Sequence, residues 1–158
     1  MQAHSIRHGL LVACAVALAV GCGTEPPPLQ DPAPKNWDDH TQGLPFVIGY
    51  EQGLERAQTE GKPAMMFVTT TWCGFCTKLA KESFNDPEVR GLLSKFVCVI
   101  VDGDEETDAR TTLGADQGYP HVFFLAADGR NVGECLGYRP VDQFKPIVEQ
   151  SLAAARGG

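Results

Sequence analysis

Short apolar runs alternate with amphipathic segments through the last two thirds of this chain. Ala64-Met65-Met66-Phe67-Val68-Thr69-Thr70 is continuously apolar until its last two residues, the pattern of a strand buried on both faces. Phe96-Val97-Cys98-Val99-Ile100-Val101 and His121-Val122-Phe123-Phe124-Leu125 read the same way. Asp128-Gly129 is a hairpin signal that leads into a further strand over 132–136. Between these runs the spacing becomes helical. Residues 51–60 place Leu54 and Ala57 inward, and Gly61-Lys62-Pro63 ends that helix. Residues 78–84 place Leu79, Ala80 and Phe84 on one side. Asn85-Asp86-Pro87-Glu88 is a helix start, with Asp86 as cap and Pro87 in the first position, and Val89, Leu92 and Leu93 form its stripe. A weaker helix covers 107–115. Val141, Phe144, Ile147, Val148 and Leu152 mark the last helix, where Pro146 is compatible only with a place near the first turn. Parallel strands joined by helices, then a hairpin, then a helix, predict an α/β sandwich around a central mixed sheet.

The first 45 residues follow other rules. Arg7 precedes an eleven-residue apolar run, Leu10 to Val20, which is too short to span a bilayer. The run ends in Leu18-Ala19-Val20-Gly21-Cys22, which resembles a bacterial lipoprotein signal, with Cys22 as the residue that is lipidated. Ala19 departs from the usual Leu of that signal, and an ordinary secretory signal would leave Cys22 as a free thiol. The stretch 23–34 holds five prolines and almost nothing to bury, the composition of an extended spacer. We therefore expect a leader at 1–21, a Pro-rich tether at 22–45 and one domain at 46–158.

The formal charge of −7 becomes −8 if Arg7 leaves with the leader. An acidic domain without a basic run argues against nucleic acid as a partner. Asp102, Asp104, Glu105, Glu106 and Asp108 cluster, but Thr107 stands where a calcium loop needs glycine, so they read as a solvated loop feeding a helix. His40 falls in the spacer without an evident partner.

Of six cysteines, Cys14 leaves with the leader and Cys22 carries the lipid, which leaves Cys73, Cys76, Cys98 and Cys135 in the domain. An exported chain lives where disulfides persist. Cys98 and Cys135 sit in strand-like runs and read as small buried hydrophobes, or as a bridge if their strands are neighbours. Trp72-Cys73-Gly74-Phe75-Cys76 lies where a buried strand gives way to a helix. The first amides of a helix lack partners and its dipole favours an anion, so Cys73 is placed to react as a thiolate. A metal reading is weak, because two cysteines supply half of a structural zinc site.

With Gly118-Tyr119-Pro120 before the next-to-last strand and the Asp128-Gly129 hairpin, this motif resembles the thioredoxin superfamily over residues 47–152. Glu60-Gly61-Lys62-Pro63 and the run from Ser83 to Val89 resemble exported bacterial thioredoxin-like lipoproteins. The resemblance implies a thioredoxin-like three-layer sandwich. It implies a Cys73–Cys76 disulfide, with Cys73 as nucleophile and Cys76 as resolving thiol. Trp72, Tyr119 and a cis Pro120 would bind an extended substrate. No cofactor and no metal are implied. The expected protein is a monomeric, extracytoplasmic thiol–disulfide oxidoreductase, lipid-anchored in a bacterial envelope and facing the periplasm. Its partners would be protein thiols or disulfides and an unidentified recharging protein. A peptide-binding or chaperone-like module with little turnover is the alternative. The family's sheet order puts the Cys98 and Cys135 strands three spacings apart, about 14 Å, beyond the roughly 7 Å a disulfide allows.

Two departures concern proton handling. Reducing thioredoxins bury an acid six positions before the first cysteine, and that position is Phe67 here. The lysine usually near it is replaced by Cys98, and Gly74-Phe75 stands where those proteins carry Gly-Pro. His121 follows Pro120 and either influences Cys73 or only packs in its strand.

Overall fold

The structure is a computed structural model that describes residues 35–157. The leader, Cys22 and the proline-rich stretch up to Pro34 lie outside the described residues. A short helix α1 (Asp38–Thr41) precedes β1 (Val47–Ile48) and α2 (Tyr50–Glu60). Strand β2 (Ala64–Thr69) leads to α3 (Gly74–Leu79), which continues as a π-helical turn over Ala80–Phe84. Then come α4 (Pro87–Leu93), β3 (Val97–Asp102), α5 (Thr107–Leu113), the hairpin β4 (His121–Leu125) and β5 (Asn131–Leu136), and α6 (Val141–Arg156).

The sheet runs β1-β3-β2-β4-β5. Strands β1, β3 and β2 are parallel, and β4 and β5 are antiparallel additions. Every residue of β2, β3 and β4 is buried, which is why these runs do not alternate with polar residues. Side chains on one face, including Met65, Phe67, Ile100, Val122 and Phe124, pack against Leu79, Phe84, Val89, Phe144 and Val148 from α3, the π turn, α4 and α6. The other face, with Met66, Val68, Val99 and Phe123, packs against Ala57 of α2 and Ala115 after α5. These are the three layers expected. Strands β2 and β4 separate Cys98 from Cys135, and both thiols are free and buried.

Local chemistry sets the element ends. Asp86 Oδ1 accepts from the Glu88 and Val89 amides at 3.0 and 3.1 Å, with Pro87 in the first turn. Gly61 closes α2 in a left-handed conformation, φ 61°. The π turn answers the spacing of Leu79 and Phe84, five apart and both fully buried, which a 3.6-residue period would not place on one line. Pro146 does not sit in the first turn as expected. It lies inside α6, five residues after Val141. Its position is exposed, so water can reach the Asp142 carbonyl it leaves unpaired, while Phe144, Val148 and Leu152 keep the helix on the sheet.

Residues before 46 also pack on this core. Trp37 and His40 are buried, and α1 packs on α3 and the π turn. The Trp37 and His40 rings meet edge to face at 5.4 Å, and His40 lies 6.3 Å from the Phe67 ring. Lys35 Nζ reaches Asp102 Oδ2 at 2.5 Å, and Arg90 donates to the Gln42 carbonyl at 2.9 Å. The prolines end at Pro34, and the first aromatic side chain after them has enough apolar surface to dock.

Helix α2 approaches β3 so closely that a Cβ on Gly53 would fall 2.3 Å from Val99 Cγ2. Ala ordinarily improves a helix interior over Gly by about 1 kcal/mol. Here Val99 is fully buried and stiff, so Gly53→Ala will destabilise the domain by about 1–3 kcal/mol in urea denaturation. A gain in stability would contradict this packing.

Candidate active site

Strand β2 ends at Thr69, and α3 begins at Gly74. The Thr70 carbonyl accepts the Cys73 amide at 3.1 Å, which folds the chain sharply into the helix. Cys73 is the N-cap of α3, and its Sγ accepts the Cys76 amide at 3.2 Å. The sulfur thus occupies the place that a Ser or Asp side chain takes in an ordinary cap, where negative charge is favoured. Cys73 and Cys76 are joined, with Sγ–Sγ 2.01 Å and Cα–Cα 5.2 Å. Cys73 keeps 6% of its surface and Cys76 none, so an incoming sulfur can meet only the first.

Around the pair the surface is aromatic. Trp72 is 69% exposed and Phe75 65%. The Trp72 indole N–H donates to Asp104 Oδ2 at 2.9 Å, and its ring meets Tyr119 edge to face at 6.0 Å. Tyr119 Oη in turn donates to the Gly103 carbonyl at 3.1 Å and accepts from Arg110 at 3.2 Å. The Tyr119–Pro120 peptide bond is cis. The structure therefore brings Trp72 and Tyr119 to one lip beside the cysteines, with Pro120 following.

The acidic cluster is more than a solvated loop. Asp102 is buried against Lys35, and Glu106 accepts the Asp102 and Tyr50 amides at 2.9 and 2.7 Å. Together these bonds hold the loop that positions Asp104 and Gly103 beneath the aromatic lip. His121 shares the sheet face of Phe123, on which it stacks at 4.0 Å. Cys73 and Cys76 belong to the opposite face with Phe124, so His121 packs rather than serving the pair. Burial pushes the Cys98 thiol up to about 12, and burial also raises Cys135, so neither is a ready nucleophile.

Phe67 fills the buried position behind the cysteines, with Phe84 edge to face at 5.1 Å. Beside it lies His40, 6.3 Å from its ring. Burial lowers its pKa below the ordinary value. The Thr70 main chain works against this without offering either ring nitrogen a hydrogen bond of good geometry. His121 is likewise lowered by burial, partly opposed by Glu134. Lys35, Trp37 and His40 are the residues that sequence reasoning missed. The available signal was a tryptophan inside a segment otherwise too polar to pack.

The family model for the thioredoxin-like domain matches residues 50–152, and the chain belongs to that family. Among individual proteins, the thiol:disulfide interchange protein DsbD of Tatumella citrea is 31% identical over 128 residues, 74% of this chain. The chain spans about a fifth of that protein, 22% of its length. The chloroplastic thioredoxin-like protein HCF164 of Oryza sativa subsp. japonica is 27% identical over 65% of this chain and 38% of its own length. A thioredoxin from Thermus thermophilus superposes with a TM-score of 0.61 at 26% identity, over 72% of this chain and 90% of its own. The C-terminal domain of DsbD from Neisseria meningitidis shares the fold, with a TM-score of 0.52 at 23% identity over 66% of this chain and 98% of its own.

Two buried neutral histidines make stability depend on pH. The unfolded imidazoles take up protons near 6.5, whereas the folded ones resist, so acid favours the unfolded chain. Between pH 7.5 and 5.5 the unfolding free energy will fall, with a slope of at most about 1.4 kcal/mol per pH unit for each histidine. Replacing both by Phe will flatten that slope in urea titrations. An unchanged slope would show that the histidines are not buried neutral.

Proposed function

We propose that this chain is an extracytoplasmic thiol–disulfide oxidoreductase that exchanges disulfides with protein substrates through Cys73 and Cys76. The observation that carries the reading is the cap: a partly accessible Cys73 Sγ takes the Cys76 amide at the start of α3, directly above a fully buried second cysteine. In the reduced protein the Cys73 thiolate attacks a substrate disulfide. One substrate sulfur leaves as a thiolate and a mixed disulfide forms. Cys76 then loses its proton and attacks Cys73 Sγ, the second substrate sulfur leaves, and the released thiolates take up protons. The substrate is reduced by two electrons and the Cys pair is oxidised.

Trp72, Phe75 and Tyr119 supply an apolar, aromatic platform for an extended substrate segment, and the main chain at Tyr119-Pro120 supplies its edge. The leader at 1–21, lipidation at Cys22 and the proline-rich spacer support a tether to a bacterial envelope membrane with the site facing the periplasm. The similarity to proteins named for thiol:disulfide interchange supports exchange with other protein thiols, including one that restores the pair's working redox state.

Insulin reduction, driven by dithiothreitol, tests this. Wild type will accelerate precipitation, Cys73→Ser will drop to the reductant's background, and Cys76→Ser will accumulate a mixed disulfide through Cys73. If wild type and Cys73→Ser behave alike while both bind an unfolded disulfide-free peptide, the chain is a peptide-binding module instead.

A further inference from the structure

Resolution of the mixed disulfide requires a fully buried thiol to lose its proton, and a buried thiol without an acceptor holds that proton tightly. The groups on the Cys76 side of the sheet can be taken in turn. Asp102 is buried but committed to Lys35 at 2.5 Å and to the Asp104 amide at 3.0 Å. Cys98 and Cys135 are thiols that burial keeps protonated. His121 belongs to the opposite face. His40 differs from all of these. It is 3% exposed, and its ring nitrogens have no hydrogen-bond partner of good geometry, with only the Thr70 main chain nearby.

Its surroundings place it beside Phe67 and the turn that leads into the cysteines. The imidazole lies 6.3 Å from the Phe67 ring and faces the main chain of Thr70, whose carbonyl holds the Cys73 amide. Helix α1 packs on α3, whose inner side carries Cys76. The Thr69 and Thr70 hydroxyls, at the same end of β2, are also buried without partners. A buried polar group without a partner in a well-packed core calls for a role. Hydroxyls can pass a hydrogen bond but do not retain a proton at neutral pH. The imidazole can.

We propose that His40, delivered by the segment before the sheet, takes up the proton that Cys76 gives up when it resolves the mixed disulfide. This rests on the exchange reading and adds the base that the Phe67 position lacks. The balance is simple: Cys76 Sγ–H becomes thiolate, His40 becomes imidazolium, Cys76 attacks Cys73 Sγ, and the departing substrate thiolate leaves with a proton from His40 or solvent. Burial keeps His40 neutral, hence a base, before the step. The charged groups around it are balanced. Asp39 on α1 and Lys81 on the π turn act in opposite senses and pair with each other at 2.9 Å. Strand β2 brings no charge, Lys78 of α3 lies over the Tyr138 ring, and Glu82 accepts from Tyr138.

The test is a single-turnover reaction of the reduced full chain with a disulfide-bonded peptide, acid-quenched and resolved by mass across pH 6–9. Wild type, His40→Gln and His40→Phe are compared, the last filling the buried site without a base. In both variants the mixed disulfide will form at the wild-type rate, and its resolution at pH 7 will slow about tenfold or more. Wild-type resolution will level off once His40 is neutral, whereas in the variants it will keep rising with pH as hydroxide takes over. Wild-type resolution rates with an unchanged pH profile in both variants would overturn the proposal and leave the exchange reading intact. Failure of the reduced wild type to reduce the peptide disulfide, together with no mixed disulfide in Cys76→Ser, would overturn both.

Discussion

The hydrogen bond from the Cys76 amide to Cys73 Sγ, 3.2 Å long, joins the fold to the chemistry. A helix that begins inside a protein must satisfy its first amides, and here no Ser, Thr or Asp is available in the capping place. Sulfur takes the role, so the same position that ends the cap also favours a sulfur anion. This works only because β2, the central strand, is buried along its whole length and ends where α3 begins. Neighbours β3 and β4 clamp it on both sides, and the helices above and below exclude water from everything except the loop that follows. The site is thus a consequence of where a hydrophobic strand is forced to stop.

Behind that loop Phe67 and Cys98 line the interior. Phe67 and Cys98 replace a polar pair, and replacing both members avoids the several kcal/mol that one unpaired buried charge would cost. The space next to Phe67 is closed from the N-terminal side by Trp37 and His40, with Lys35 fastened to Asp102. The segment leading into the domain therefore takes part in the core behind the cysteines. The same Asp102 loop carries Asp104, which holds Trp72, and Gly103, which holds Tyr119. A Cβ on Gly103 would lie 2.3 Å from Tyr119 Oη, so the lip depends on that glycine's bare backbone as well as on its carbonyl.

Much of this was legible in the chain because its signals are local. The all-apolar strands, the Asp86-Pro87 helix start and the Asp128-Gly129 turn each act within a few residues, and the elements they mark formed within one or two residues of their expected places, whereas the helix read over 78–84 begins at Gly74 and α1 and β1 left no such local signal. The sheet order followed from the family resemblance and matches the structure. What escaped depended on distant partners. Polarity of the spacer masked Trp37, which joins a core cluster whose other members lie far along the chain. His40 looked unpartnered for the same reason. Pro146 was expected in the first turn because local propensity is strongest there, yet tertiary packing of Phe144 and Val148 outweighs it.

The central claim is that the fold makes Cys73, and no other thiol among the described residues, the reactive sulfur. Brief alkylation of the reduced, folded chain with limiting iodoacetamide at neutral pH, followed by peptide mass mapping, tests it most directly. Among the cysteines of the described residues, the account predicts a single early adduct on Cys73, with Cys76, Cys98 and Cys135 modified only after denaturation. First modification at Cys76, Cys98 or Cys135 would contradict it.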